Sequence, residues 1–124
     1  MGKLNKKVLG ECKDKLIHTK TELLNRVKEA KLGLHKEDSK GGDEGDQTVR
    51  ALAEAEFLNM NERLRKRLVE IEMALKRIDN GNYGVCEETE ELIEPERLRA
   101  IPWTRLSIEG AEIRESMKKR YAIR

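Results

Sequence analysis

The sequence predicts a mainly α protein: a long antiparallel coiled-coil hairpin, a small knob and a C-terminal helix. Three observations carry this. Apolar residues recur at helical spacing in two long segments, a glycine-rich polar stretch separates them, and composition changes abruptly after Gly81. The overall balance agrees. Of 124 residues, 40% are charged and 3% aromatic, which suits long helices burying a narrow stripe better than a broad aromatic core. With 37% hydrophobic residues and a net charge of +2, the chain lacks the charge imbalance of disorder. It also lacks the bulk positive potential that binds nucleic acid through charge alone.

In the first segment Leu9, Cys12, Leu16, Leu23, Val27, Ala30 and Leu34 follow in steps of three and four, with Thr19 in the one wide gap. That is a heptad-like seam on one helix face. From His35 to Asp46 the run HKEDSKGGDEGD has no apolar residue and three glycines, which predicts a loop with an acidic tip at about 36–46. Asp46 can cap the following helix by accepting backbone N–H bonds. That second helix is expected from about Gln47 to Asp79. Its seam is Phe57, Leu64, Leu68, Ile71, Leu75 and Ile78, with Asn61 at one polar position, and Val49, Leu52 and Ala55 continue the apolar face toward the loop. Asn80-Gly81 is a helix stop signal. Two long helices joined by one short loop pair antiparallel, each roughly 45–50 Å long at 1.5 Å per residue. Residues 1–80 are therefore read as the hairpin and 81–124 as the knob and final helix.

The knob holds both prolines and the single Trp. A tight β-turn unit is expected near Tyr83–Ile93, then a helical turn at Pro95–Ala100, where proline suits the first helical position. A basic helix carrying Ile113 and Met117 on one face is expected from about Ala111 to Tyr121. Arg114, Lys118, Lys119 and Arg120 on it are read as a docking edge or as cations favouring a helix C-terminus. No 18-residue apolar run exists, and the N-terminal residues show no signal-peptide pattern, so a cytoplasmic protein with no membrane partner is expected. Cys12 lies on the first seam and reads as a buried small hydrophobe. Cys86 has no Lys, Arg or His beside it to lower its pKa and reads as inert.

Cys86-Glu-Glu-Thr89 and Ser107-Ile-Glu-Gly110 have the spacing of two C-x-x-C knuckles. A structural zinc ion needs four thiolates or imidazoles, and only Cys86 qualifies. Zinc is therefore predicted absent and no other cofactor is indicated. Apolar replacement is expected from Tyr83, Val85, Leu92, Ile93, Leu98, Trp103, Leu106 and Ile108, with Trp103 the most important. No nucleophile–base pair, phosphate loop or cofactor fingerprint appears, so the chain is read as a non-enzyme.

The run from Ala74 to Gly110 resembles the finger region of the bacterial DksA/TraR family of transcription regulators. The resemblance rests on Tyr83-Gly84-Val85-Cys86, on Leu92-Ile93 with Glu96-Arg97-Leu98, on Ala100-Ile101-Pro102, and on Ser107 to Gly110. It extends without a gap over roughly residues 43–110. Thr89, Ser107 and Gly110 stand where the family has cysteines. The family's tip motif D-x-x-D-x-A then falls on Asp43, Asp46 and Thr48, with Thr48 in place of alanine. The resemblance implies a regulator that binds bacterial RNA polymerase and brings this tip through the secondary channel toward the catalytic magnesium. It implies no sequence-specific contact with nucleic acid. Arg63, Arg65, Lys66 and Arg67 are candidate docking residues for the channel rim, or a solvated face. The basic residues with which family members help hold guanosine tetraphosphate correspond to Glu70, Ile101 and Ala111, which implies action without that nucleotide. The alternatives are a non-catalytic coiled-coil scaffold that has lost polymerase binding and a nucleic-acid-binding finger. The paired tip aspartates argue against the scaffold, and the knob's small basic excess argues against the finger.

Overall fold

The computed structural model describes residues 4–38 and 44–122, with side-chain surroundings for 4–32 and 47–121. Among the described residues four helices follow in order: α1 (Lys6–Asp38), α2 (Glu44–Asn80), α3 (Pro95–Ala100) and α4 (Ile108–Ala122). Among the described residues, extended pairing is limited to one antiparallel bridge, Val85 with Leu92. The mainly α class and the helical hairpin with a C-terminal helix are as the sequence predicts. No described helix is long and apolar enough to cross a membrane.

The helix ends follow local chemistry. Asn5 caps α1: its Oδ1 accepts the Lys7 N–H at 2.8 Å. At the end of α2 the Asn82 N–H reaches the Arg77 carbonyl at 3.0 Å and the Gly81 N–H reaches Ile78 at 3.2 Å. This doubly bonded stop needs a left-handed residue, and Gly81 supplies it with φ +80°. Helix α3 occupies the expected Pro95–Ala100, with proline in its first turn. Two starts differ from expectation. Helix α2 begins at Glu44, so Asp46 lies inside its first turn and is not the residue before it. Helix α4 begins at Ile108, ahead of the expected Ala111, because Ser107 supplies an N-cap.

The chain divides into two compact units, one of Met1–Ile17 with Glu70–Arg124 and one of His18–Val69. In the first unit Cys12, Leu16, Ile71, Ala74, Cys86, Ile93, Leu98 and Pro102 are fully or almost fully buried. The knob is tied to helix residues of its own unit by polar contacts. Lys15 Nζ donates to the Arg99 carbonyl at 2.6 Å, and Arg99 Nε pairs with Glu11 at 2.9 Å. The Tyr83 hydroxyl donates to the buried Pro102 carbonyl at 2.7 Å. Burial holds the Tyr83 phenol and the Cys12 thiol above their ordinary pKa ranges, so both stay protonated at neutral pH.

The His18–Val69 unit is a helix pair with a thin seam. Among its described side chains Leu23 is buried, while Val27, Ala30, Ala53, Phe57, Met60, Asn61, Leu64 and Leu68 are half-buried. The expected continuation through Val49, Leu52 and Ala55 is corrected: all three are exposed, and Arg50 and Ala53 are the more covered residues there. An apolar run near a helix end fits more than one helical phase, and the phase realised carries Ala53 and Phe57 inward.

Candidate functional site

Two regions carry the candidate residues, and each lies within one unit. In the His18–Val69 unit, Asp43 falls outside the described residues. Asp46 and Thr48 lie in the first turns of α2, and Thr48 is exposed. Arg63, Arg65, Lys66 and Arg67 are all exposed on α2. At 100° per residue Arg63, Lys66 and Arg67 share the outer side of the helix, while Arg65 projects from another. Lys66 pairs with Glu62 one turn earlier at 3.4 Å in full solvent, a contact of little energetic weight.

The knob brings the four knuckle positions together. A tight turn presents Cys86: its N–H donates to Glu91 O at 2.8 Å and its carbonyl accepts from Glu90 at 2.9 Å. Glu90 takes a left-handed φ of 62° to close this turn. Gly84 precedes it with φ +87°, against the side chains of Leu4 and Leu98. Thr89 Oγ1 accepts the Glu91 N–H at 3.3 Å.

Ser107 then does two things with one hydroxyl. Its Oγ accepts the Gly110 N–H at 3.0 Å as the cap of α4, and it donates to the Cys86 sulfur at 3.4 Å. Burial pushes the Cys86 thiol up, but hydrogen bonds from Ser107 and Thr89 outweigh it and bring the pKa down to about 6. The absence of a flanking cation does not leave the thiol unperturbed: one of the groups that lowers its pKa is a hydroxyl 21 residues away in sequence, where inspection of flanking residues could not find it. Cys86 itself is almost completely buried. The start of α4 is reinforced by Glu94, whose two carboxylate oxygens accept the Ile108 N–H at 3.3 Å.

Arginines brace the knob. Arg97 Nε donates to the Leu106 carbonyl at 2.8 Å. Arg77 reaches the Trp103 and Thr104 carbonyls at 3.4 Å, and burial followed by the nearby Arg105 lowers its pKa. Arg114, a candidate docking cation, joins α4 to the knuckle through Glu88 at 3.1 Å and Glu87 at 3.5 Å. Lys118, Lys119 and Arg120 are exposed. Of the apolar residues expected to fill the knob, Tyr83, Ile93 and Leu98 are buried, Trp103 and Leu106 half-buried, and Val85, Leu92 and Ile108 exposed. The expectation for the last three is corrected: the bridge turns Val85 and Leu92 outward, and Ile108 starts a helix on its solvent side.

Glu70 and Ile101 line one open groove of about 360 Å³, together with Arg97, Trp103, Arg105 and Arg114. The family resemblance implies one site for all three positions; the fold brings Glu70 and Ile101 to this groove and leaves Ala111 out of its lining.

Comparison with known proteins supports the same assignment. Residues 81–116 match the prokaryotic dksA/traR C4-type zinc finger. The chain is 34% identical over 116 residues to the RNA polymerase-binding transcription factor DksA of Caulobacter vibrioides, covering 94% of this chain and 82% of that protein. It is 36% identical over 112 residues to a protein of Aquifex aeolicus, covering 88% of this chain and 77% of that one. Its fold superposes on transcription factor DksA2 from Pseudomonas aeruginosa with a TM-score of 0.84 at 30% identity, covering 93% of this chain and 88% of that one. Similarity on this scale runs through both helices as well as the finger, and the chain belongs to the DksA/TraR family.

Proposed function

We propose that this protein is a non-enzymatic transcription regulator that binds bacterial RNA polymerase and inserts the acidic end of its helical hairpin into the secondary channel. The observation that carries this reading is identity over almost the whole chain to a polymerase-binding transcription factor. The tip pair, Asp43 and Asp46, has the spacing that the family resemblance implies. The physical logic is that of a preorganised probe. Helical backbone ordered before binding presents a few carboxylates deep in a channel with little additional ordering cost. Carboxylates placed near a metal centre and its basic, mobile surroundings bias conformations of the polymerase without themselves reacting. Arg63, Lys66 and Arg67 on the outer side of α2 supply cations for an acidic channel rim. We further propose cytoplasmic action without guanosine tetraphosphate, because Glu70 and Ile101 replace basic residues.

The decisive experiment has three readouts: retention, melting and transcription. Purified bacterial polymerase should retain the protein in a pull-down. The double variant Asp43→Asn/Asp46→Asn should still be retained and melt at the same temperature, yet lose its effect on transcription in vitro. No retention of the parent protein would favour the scaffold reading. Full transcriptional activity of the double variant would remove the tip from the mechanism.

A further inference from the structure

The family's finger is of C4 type, yet the donor set here does not suit zinc. Zinc in such a site sits about 2.3 Å from each of four sulfurs at the corners of a tetrahedron. Cys86 is the one thiol of this cluster, and Cys12 lies elsewhere, beside Tyr83. The Ser107 hydroxyl already accepts from Gly110 and directs its proton at the sulfur. Among the described residues no three His, Cys, Asp or Glu side chains converge anywhere, and the acids nearest the knuckle, Glu87 and Glu88, are engaged by Arg114.

We infer that the four knuckle positions form a metal-free lock in which the Cys86 sulfur, held by the Ser107 hydroxyl, fills the space left by the missing side chain of Gly110. The decisive observation is steric. A Cβ built on Gly110 would overlap the Cys86 sulfur and press on Ser107 Oγ and the Glu88 Cβ at 3.3 Å each. Sulfur and helix backbone therefore meet where an ion would have to separate them. Gly110 has no conformational need to be glycine: it lies in the first turn of α4, and its φ is not in the left-handed region. Glycine is the poorest helix former after proline, so propensity alone favours alanine at this position. Its presence is explained by the volume that the sulfur takes. The lock joins the turn that carries Cys86 to the start of α4, the same two segments a zinc ion would join.

A double-mutant cycle tests this on the full-length protein, read by thermal melting. Gly110→Ala should lower the melting temperature by several degrees, against its helix propensity. Cys86→Ala should lower it less. In the Cys86→Ala background the Gly110→Ala change should cost much less, because the sulfur no longer occupies the site and only the milder contacts with Ser107 and Glu88 remain. Alongside, protein from zinc-supplemented culture should contain substoichiometric zinc by elemental mass spectrometry. Neither a chelator nor added zinc should move its melting temperature. A Gly110→Ala variant that melts at or above the parent, or one equally damaging in both backgrounds, would overturn the steric lock. Stoichiometric zinc, or a melting temperature that falls with the chelator, would overturn its independence from metal.

Discussion

The two compact units divide the work of this chain differently. The unit built from the helix ends and the knob contains nearly all the fully buried side chains, Leu16, Ile71, Ile93 and Leu98 among them. Its arginines and hydroxyls are directed at internal carbonyls, carboxylates and a sulfur. In the His18–Val69 unit Leu23 is the single buried apolar side chain among the described residues, while Leu24, Leu32, Val49, Leu52 and Leu58 are at least half exposed. Such a unit gains little from burial and depends more on helix propensity and pairing. The difference teaches that stability and the proposed chemistry are separable: substitutions in the knob should act on folding, and those near the tip on transcription.

The strongest way to break that division is Leu98→Ala. Leu98 is completely buried, so truncation should cost about 2–5 kcal/mol in denaturant unfolding. Leu52→Ala, at a side chain 62% exposed, should stay within about 0.5 kcal/mol. Comparable losses from the two variants would mean that stability is shared evenly. Trp103→Ala belongs in the same series. The ring is half-buried, so its loss should be smaller than that of Leu98, contrary to the ranking that residue size suggests.

Next in size is Tyr83→Phe. The phenol keeps its proton at neutral pH and donates a hydrogen bond to the buried Pro102 carbonyl, so removing the hydroxyl should cost roughly 1–3 kcal/mol. A variant as stable as the parent would show that water or another donor replaces the bond. Smaller, and opposite in sign, is Asn61→Leu. Asn61 Oδ1 is buried on the seam of the weaker unit without a hydrogen-bond partner. An apolar side chain should stabilise the protein by about 1 kcal/mol, both by removing the unsatisfied group and by extending the seam. Destabilisation would show that the amide is paired in solution and holds the helix register.

Much of this was legible in sequence. The two long helices, the stop at Asn80-Gly81 and the helix opening at Pro95 follow from local rules: periodicity, a left-handed glycine, a fixed proline φ. The Ser107 cap was legible in principle, since serine three residues before an N–H donor is an N-terminal signal, but the same residue also fits the spacing of a cysteine knuckle, and the two patterns compete. What local pattern could not supply was long-range. The phase of α2 near its start depends on what lies opposite, which placed Val49 and Leu52 on the wrong side. The burial of Trp103 depends on the path of the chain from Pro102 to Leu106. The Cys86–Ser107 contact spans 21 residues, and the steric demand on Gly110 exists only once α4 is docked.

The smallest expected effect is none at all, and it tests whether the knob's arginines are held by their internal partners as firmly as the contrast between the units requires. A tetraphosphate nucleotide is held by several charge-assisted donors from Lys and Arg. The groove that holds Glu70 and Ile101 has Arg97, Arg105 and Arg114 on its walls. Each already has structural work: Arg97 Nε on the Leu106 carbonyl, Arg105 on the Met73 sulfur at 2.9 Å, and Arg114 on Glu87 and Glu88. Binding a polyanion there would compete with these contacts for the guanidinium charge while bringing the phosphates toward the Glu70 carboxylate. Transcription from a responsive promoter should therefore respond to this protein equally with and without guanosine tetraphosphate, using polymerase that lacks its own regulator-independent nucleotide site. Glu70→Lys should then introduce a measurable nucleotide dependence, because it removes the repelling charge and adds a donor on the same wall. A strong nucleotide effect with the parent protein, abolished by Arg97→Ala, would show that the arginines are free to serve a ligand and that the knob is more than a brace.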